Sequence, residues 1–468
     1  MRDDHQEMCE RADQSVNAAA WLAERDPHRP RFHLAPPSHW MNDPNGPVWF
    51  DGEYHLFYQH NPYGNEWGNM SWGHAASSDL VRWRHLPIAM VPSLDYDRHG
   101  VFSGCCVIHD GVPHILYTAF DETAVNKQTQ ALAISRDGMR TWIKDPSPVI
   151  VEPPGGPAPD FRDPFCWKEG NAWHLSLCYA KGSGTGRVLH YQSKDLRHWE
   201  YIGVLCDQLP STPECPNFFP LDARGSKWLL TVSPYGDVIY ALGEYRDGRF
   251  HPEQWLPLDL GGTAHFYAPN TLLENNGRKV MWGWIKGGGS GQSPWNGCFT
   301  LPRLMRLTDD GKLSVQPLPE LVALRGRSQQ YPKLKTDGVP LIPFPAHNGP
   351  SAEIDASIDC PASGRCGLNI AGAGKDGAPL VIAYDAYVGR LSCGDIGGGF
   401  RVPTGERLKL RVFLDRSVVE IYANERATLT ARCRPPADGR LEFSVWSEPQ
   451  STASADVSVW EMADAIVR

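Results

Sequence analysis

The sequence predicts an all-β chain, a five-bladed β-propeller followed by a C-terminal β-sandwich. Three observations predict it. A hairpin pattern recurs five times, a Ser-x-Asp pattern followed by Trp keeps step with it, and the text changes near residue 341 to alternating strands. At 468 residues the chain is too long for one typical core and comfortable for two. The expected organisation is a helical leader over 1–30, a propeller over 31–325, a polar linker over 326–340 and a sandwich over 341–468.

Residues 5–24 are Ala-rich, with Met8, Val16, Ala20 and Leu22 set among charges, and read as a helix that packs on the domain edge. Asp26-Pro27 ends it. The hairpins follow at 48–58, 106–117, 165–177, 218–230 and 270–284, each a pair of short strands around a Gly-bearing turn. Their starts are spaced by 58, 59, 53 and 52 residues. Ser77-x-Asp79 precedes Trp83, Ser135-x-Asp137 precedes Trp142 and Ser193-x-Asp195 precedes Trp199, with Trp spacings of 59 and 57. A period of about 50 residues holding about four strands is a propeller blade. Beyond the linker, 408–413, 417–422 and 441–446 alternate apolar and polar residues, the pattern of an antiparallel sandwich. Gly287-Gly-Gly-Ser-Gly291 reads as a flexible loop, since a phosphate cradle would need a following Lys-Ser/Thr and a helix.

Composition removes several function classes. Hydrophobic content of 41% and charge of 21% are those of a globular protein. A net charge of -9 without a basic stripe disfavours nucleic acid. No apolar run approaches the ~20 residues that span a membrane. The 12 Cys include no Cys-x-x-Cys pair and no zinc-ligand spacing, so neither a metal nor a cofactor is expected. The first 27 residues lack an apolar targeting core, and the expectation is a cytoplasmic protein with mostly free thiols. Whether it is a monomer or a homodimer stays open.

The stretch Asn42-Asp43-Pro44-Asn45-Gly46 in isolation reads as a turn. The repeat changes that reading. Counting back from each hairpin turn, Asp43 lies 8 residues before Asp51, Ser103 lies 7 before Asp110, and Asp163 lies 6 before Glu169. Glu214 lies 8 before Asp222 and Tyr267 lies 8 before Asn275. Equivalent positions on innermost strands face one channel, so Asp43, Asp163 and Glu214 are expected to converge. Clustered carboxylates repel and raise a pKa, which marks acid/base chemistry or a cation site.

The same residues carry a resemblance. Trp40-Met41-Asn42-Asp43-Pro44-Asn45-Gly46, Gln59-His-Asn-Pro62, Trp72-Gly-His74 with Ser78-Asp-Leu80, Phe102-Ser103-Gly104, Arg162-Asp163-Pro164 and Glu214-Cys-Pro216 resemble glycoside hydrolase family 32, the invertase, inulinase and levanase family. Leu414-Asp-Arg-Ser-Val-Val-Glu-Ile-Tyr422 resembles the family's C-terminal module. Departures are Cys105, where a small Ser is usual, and Gly262-Thr-Ala-His265 before Phe266-Tyr267-Ala268. The resemblance implies Asp43 as nucleophile, Glu214 as acid/base and Asp163 as transition-state stabiliser of a retaining β-fructosidase. It also implies that Arg162 keeps Asp163 charged. Trp40, Met41, Asn42, Gln59, Trp67, Phe102, Ser103, Arg162 and Trp284 would line the fructose pocket. A fructosyltransferase, a levan- or inulin-degrading enzyme, an inverting arabinanase-like enzyme, a sugar-binding propeller without turnover and a structural calcium site are the alternatives.

Overall fold

A computed structural model describes residues 4–467, except 183, 185, 208, 210, 290–292, 337–340, 345–348, 361–362, 437–438 and 449–453. The Gly-rich loop therefore ends, at residues 290 and 291, outside the described residues, as does the last part of the expected linker. Among the described residues the chain is all-β apart from one N-terminal helix, α1 (Asp4–Glu24), and three short 3-10 turns.

Five antiparallel sheets of four or five strands occupy residues 39–317. Each begins with an inner strand: β1 (His39–Phe50), β2 (Gly100–His109), β3 (Asp160–Glu169), β4 (Glu214–Pro220) and β5 (Tyr267–Leu273). These are the first strands of the five expected hairpins. Each packs against the next, and β5 packs back on β1. A late segment of this module is stapled to its start, because Trp295 and Asn296 pair in parallel with His39 and Trp40 of β1.

Large apolar side chains fill the wedges between neighbouring sheets. Val48, Phe57, Trp72, Ile115 and Trp142 sit between the first two. Phe161, Trp173 and Leu175 continue the series with Leu116, and Trp167, Phe218 and Trp228 extend it to the fourth sheet. Burying each such ring contributes about 1.5–3 kcal/mol, so the wedges supply much of the module's stability. The Ser-x-Asp repeats are one turn built three times. The carboxylates of Asp79 and Asp195 each take two backbone N–H bonds at 2.7–3.0 Å, and Asp137 takes that of Thr141 at 3.0 Å. The turn swings the next Trp inward: Trp83 and Trp142 are buried.

Helix α1 packs on the outer strand of the first sheet, where Cys9, Ala12 and Val16 meet Ile88 and Val91. Asp13 accepts the edge N–H of Ile88 at 3.0 Å, which blunts an exposed strand edge.

Two six-stranded sheets make the C-terminal module, with an apolar core that includes Ile354, Leu368, Val412 and Phe443. One correction belongs here. Arg325–Lys335, inside the expected linker, is a strand hydrogen-bonded to the final strand, Ser454–Met462. Its polarity is that of an exposed edge strand, and only residues such as Tyr331 and Leu334 reach the core.

A buried ion network joins the modules. Asp415 accepts the backbone N–H groups of Arg31, Phe32 and His33 at 2.8–2.9 Å, and His33 Nδ1 at 2.9 Å. Glu420 accepts His33 Nε2 at 3.0 Å, the Leu301 N–H at 2.6 Å and Arg303 Nη2 at 2.6 Å. Arg303 Nη1 donates to Asp259 at 2.8 Å. The Asp-Arg-Ser-Val-Val-Glu spacing thus supplies two carboxylates to one interface. Burial alone would push Glu420 up, but the charges of Arg303 and His33 hold it at about 2. Burial pulls His33 down, and its bonds to Asp415 and Glu420 more than offset this, leaving it raised.

Arg303→Met should therefore destabilise the protein by about 3–5 kcal/mol, because it leaves buried carboxylates unpaired. Urea unfolding measures this, and a change below about 1 kcal/mol would show the network to be incidental. Glu420's folded pKa lies below its ordinary 4.5. Its contribution is present above that value and is lost as pH falls through the acid range. His33 acts oppositely: its contribution is complete at low pH and is lost as pH rises through its raised value.

Candidate active site

All five inner strands break register at the same level. The breaks fall between Met41 and Pro44, Val101 and Gly104, Arg162 and Phe165, Glu214 and Asn217, and Tyr267 and Asn270. In each, two residues oppose a single residue of the partner strand, so one extra residue bulges out of the ladder. A bulge re-aims side chains that a regular strand would send to opposite faces. Asn42 and Asp43 show the effect. They are adjacent, yet Asn42 Nδ2 donates to Asp43 Oδ1 at 3.0 Å. Asp43 is thus part of a strand and not of a turn. Just behind it, Gly46 has φ +48°, and a Cβ there would lie 2.7 Å from the Cys106 backbone nitrogen. Only glycine lets the first two sheets approach so closely.

The bulges bring the three predicted carboxylates together. Asp43 Oδ2 accepts Ser103 Oγ at 2.7 Å, across from β1 to β2. The Cys215 thiol lies 3.5 Å from the same oxygen and 3.7 Å from Asp163 Oδ2. The Cys215 N–H donates to Asp163 Oδ2 at 2.9 Å. Asp163 precedes Pro164 and sits at φ +63°, a region costly for a non-glycine residue, with its own N–H held by Thr118 Oγ1 at 2.8 Å. Glu214 Oε1 accepts Arg162 Nη1 at 3.0 Å, and Oε2 accepts the Tyr267 hydroxyl at 2.8 Å.

Arg162 therefore does not play the expected part. It pairs with Glu214 and with Asp160, because successive strand residues point apart and Arg162 reaches across to β4. Burial and the charge of Glu214 push Asp163 up to about 7, against the opposing pull of Arg162. Glu214 is raised by burial, with Arg162 opposing and Asp43 reinforcing. Burial raises Asp43 as well, and its bonds from Ser103, Asn42 and Cys215 pull it back.

Around the acids stand most of the predicted pocket residues. Trp40 Nε1 donates to Asn42 Oδ1 at 2.7 Å, and its ring meets Trp284 edge-on at 5.5 Å. Trp284 Nε1 is buried without a partner among the described residues. Trp67 is well exposed and packs edge-on against Phe102 at 5.9 Å, while Phe102 stacks on Phe120 at 4.7 Å. Gln59 is buried and bridges sheets by donating to the Val101 carbonyl at 2.9 Å. Met41 is a correction. It is fully buried in the apolar core with Phe32, Leu56 and Tyr58, since strand alternation turns it away from Trp40 and Asn42.

Three contributors were absent from the predicted set. Cys215 ties two acids together, and Tyr267 holds Glu214 from the fifth strand. Lys286 lies with its ammonium 4.2 Å from the Tyr267 ring centroid and 5.1 Å from that of Trp284. Tyr267 was visible as the fifth equivalent position; nothing in the sequence distinguishes Lys286. A separate cavity of about 850 Å³, lined by Trp49, Trp167, Trp173 and Glu274 among others, lies toward the hairpin turns and contains none of the three acids.

Comparisons with known proteins follow the same lines. Residues 33–317 match the glycosyl hydrolases family 32 N-terminal domain, and residues 320–461 match the family 32 C-terminal domain. A sucrose-6-phosphate hydrolase of Escherichia coli is 32% identical, over 95% of this chain and 98% of its own. A raffinose invertase of Escherichia coli is 33% identical, over 92% and 94%. A Bombyx mori β-fructofuranosidase variant, solved in complex with sucrose, superposes with a TM-score of 0.84 at 29% identity, covering 98% of this chain and 99% of that one.

The electrostatics set a pH profile for any acid/base reaction at this site. A carboxylate that attacks must be ionised, and a carboxyl that serves as the acid must hold a proton. We expect kcat/KM to fall toward low pH as Asp43 protonates and toward high pH as the pair loses its proton near about 7. A kcat/KM profile on sucrose measures both limbs. A rate still rising above pH ~8 would contradict the shared proton.

Proposed function

This chain belongs to glycoside hydrolase family 32, and from that premise we propose that Asp43, Asp163 and Glu214 carry its β-fructofuranosidase activity at the centre of a five-bladed propeller. The five sheets over residues 39–317, with inner strands in contact around one axis, are the blades. The two-sheet module that starts at Arg325 is the sandwich, and α1 braces the first blade.

The observation that carries the roles is the unequal company of the acids. Asp43 receives only neutral donors, from Ser103, Asn42 and Cys215, and these favour its ionised form. It is the nucleophile, attacking the anomeric carbon of a terminal β-fructofuranoside. Glu214 faces a guanidinium and a phenol, and it gives the leaving oxygen its proton. In the empty site burial and repulsion among the acids raise both Asp163 and Glu214, so the pair shares a proton. Fructose hydroxyls that donate to Asp163 favour its anion and drive the proton onto Glu214. Substrate binding thus arms the acid, a form of differential binding. In the second step Glu214 takes a proton from water, which attacks the fructosyl ester on Asp43 and gives net retention. Donors fill the oxygens of Asp43 and Glu214, which suits acid/base chemistry better than a cation cage.

The substrate class is a small fructoside such as sucrose or its phosphate ester. The twelve cysteines are free, and eleven are buried. That fits a reducing compartment, the cytoplasm.

Asp43→Asn should leave the fold intact and lower turnover of sucrose by about three orders of magnitude or more. Circular dichroism and glucose release measure the two halves. Near-normal turnover would remove Asp43 from the mechanism. The first-formed fructose should hold the substrate's anomeric configuration in an NMR time course, and inversion would contradict the covalent route.

A further inference from the structure

Among the described residues, Lys286 is a cation beside the acids that the reaction above leaves without a task. It lies just beyond β5's hairpin partner, Lys279–Ile285, and opens the Gly287–Gly289 turn. Its ammonium rests on the faces of Tyr267 and Trp284. Tyr267 is the residue whose hydroxyl holds Glu214. The ammonium therefore stands beside the partner of the group that gives the leaving oxygen its proton.

Its surroundings are unusual for a cation. Among the described residues no carboxylate lies within ion-pair distance of Lys286, and its hydrogen bond is to Thr263 Oγ1 at 3.4 Å. Burial pulls its pKa down, and the charges of Asp43 and Glu214 oppose this and help to keep it protonated. The side chain is only partly buried, and Gly287 and Gly288, which follow it, are exposed and carry no side chain to screen it. A lysine held on two aromatic faces, at a rim of three acids, is oriented without being neutralised. Its counter-charge can arrive with the substrate.

We propose that Lys286 is a specificity-determining residue that reads an anionic leaving group, a phosphate monoester on the sugar released when the fructosyl bond breaks. This rests on the fructosidase reading and names the residue that chooses between its two small substrates, sucrose and the phosphate ester. A phosphate dianion approaching Asp43 and Glu214 meets repulsion, and an ammonium placed between them reverses its sign. Sucrose has no such group and offers the ammonium only uncharged hydroxyls, without an opposite charge to pair with it. A charge-assisted hydrogen bond is worth about tenfold to a hundredfold in recognition.

The test is the ratio of kcat/KM for sucrose 6-phosphate to that for sucrose, in the wild type, Lys286→Met and Lys286→Arg. Methionine keeps the stem's packing on the rings and removes the charge. The wild type is expected to favour the phosphate ester by at least about tenfold. In Lys286→Met the ratio should collapse toward one, mainly through KM for the ester, and in Lys286→Arg it should persist. Added salt should erode the wild-type ratio. A wild-type ratio near one, with sucrose turned over, would overturn this inference and leave the fructosidase reading standing. Equal losses on both substrates in Lys286→Met would also overturn it, assigning Lys286 to the electrostatics of Asp43 and Glu214. Failure of the wild type to hydrolyse either sugar would remove the fructosidase reading and this inference together.

Discussion

The five inner strands share one constraint: each must leave its hydrogen-bond ladder at the same height around a common axis. A regular strand presents alternate residues to alternate faces. A bulge breaks that alternation and lets neighbouring residues point the same way. Asp43 belongs to the second bulge position, Asp163 to the first, and Glu214 to the residue just before its bulge. The chain thus delivers three carboxylates from unequal positions of one repeated geometry. The Asp-Pro, Pro-Asn and Gly residues of these motifs serve the bulges, and Gly46 serves the close approach of the second sheet. The outer strands and the tryptophan wedges hold these strands rigidly enough for the convergence to persist.

Convergence creates an electrostatic problem that the site resolves with few groups. Among the described residues, the three acids, Asp163 buried and Asp43 and Glu214 partly so, face Arg162, which is firmly paired, and Lys286, which has no carboxylate within ion-pair distance. Burial raises Asp43, Asp163 and Glu214 alike, so full ionisation of all three is unfavourable and the Asp163–Glu214 pair keeps a proton. In the mechanism proposed above, fructose hydroxyls that donate to Asp163 place that proton on Glu214. The far interface obeys a different rule. There Arg303, His33 and backbone N–H groups supply the donors, and they hold Asp415 and Glu420 below their ordinary values despite burial. The acids of the candidate site stand above theirs.

Much of this was legible in the sequence because the repeat is long and regular. Five hairpins in phase located every inner strand, and three Ser-x-Asp turns located the outer ones. The same regularity aligned Asp43, Asp163 and Glu214 before any side chain had coordinates. What remained hidden depends on side-chain direction. Met41 sits inside the most informative motif, yet alternation sends it to the core. Arg162 adjoins Asp163 in sequence and serves Glu214 in space. Residues 325–335 look like a linker because an exposed edge strand has few apolar positions to betray it. Lys286 had no signal at all: its role follows from two rings beneath it that come from different strands.

The central claim is that Asp43 forms a covalent bond to fructose while Glu214 handles the proton. A fructosyl donor with a good leaving group, such as fructosyl fluoride, bypasses the need for the acid in the first step. In Glu214→Gln the second step still lacks its base, so the intermediate should accumulate. Rapid acid quench followed by peptide mass spectrometry measures it directly. The account predicts one anhydrofructosyl unit on the peptide that contains Asp43. Fluoride release with no adduct, or an adduct on the Asp163 peptide, would contradict it.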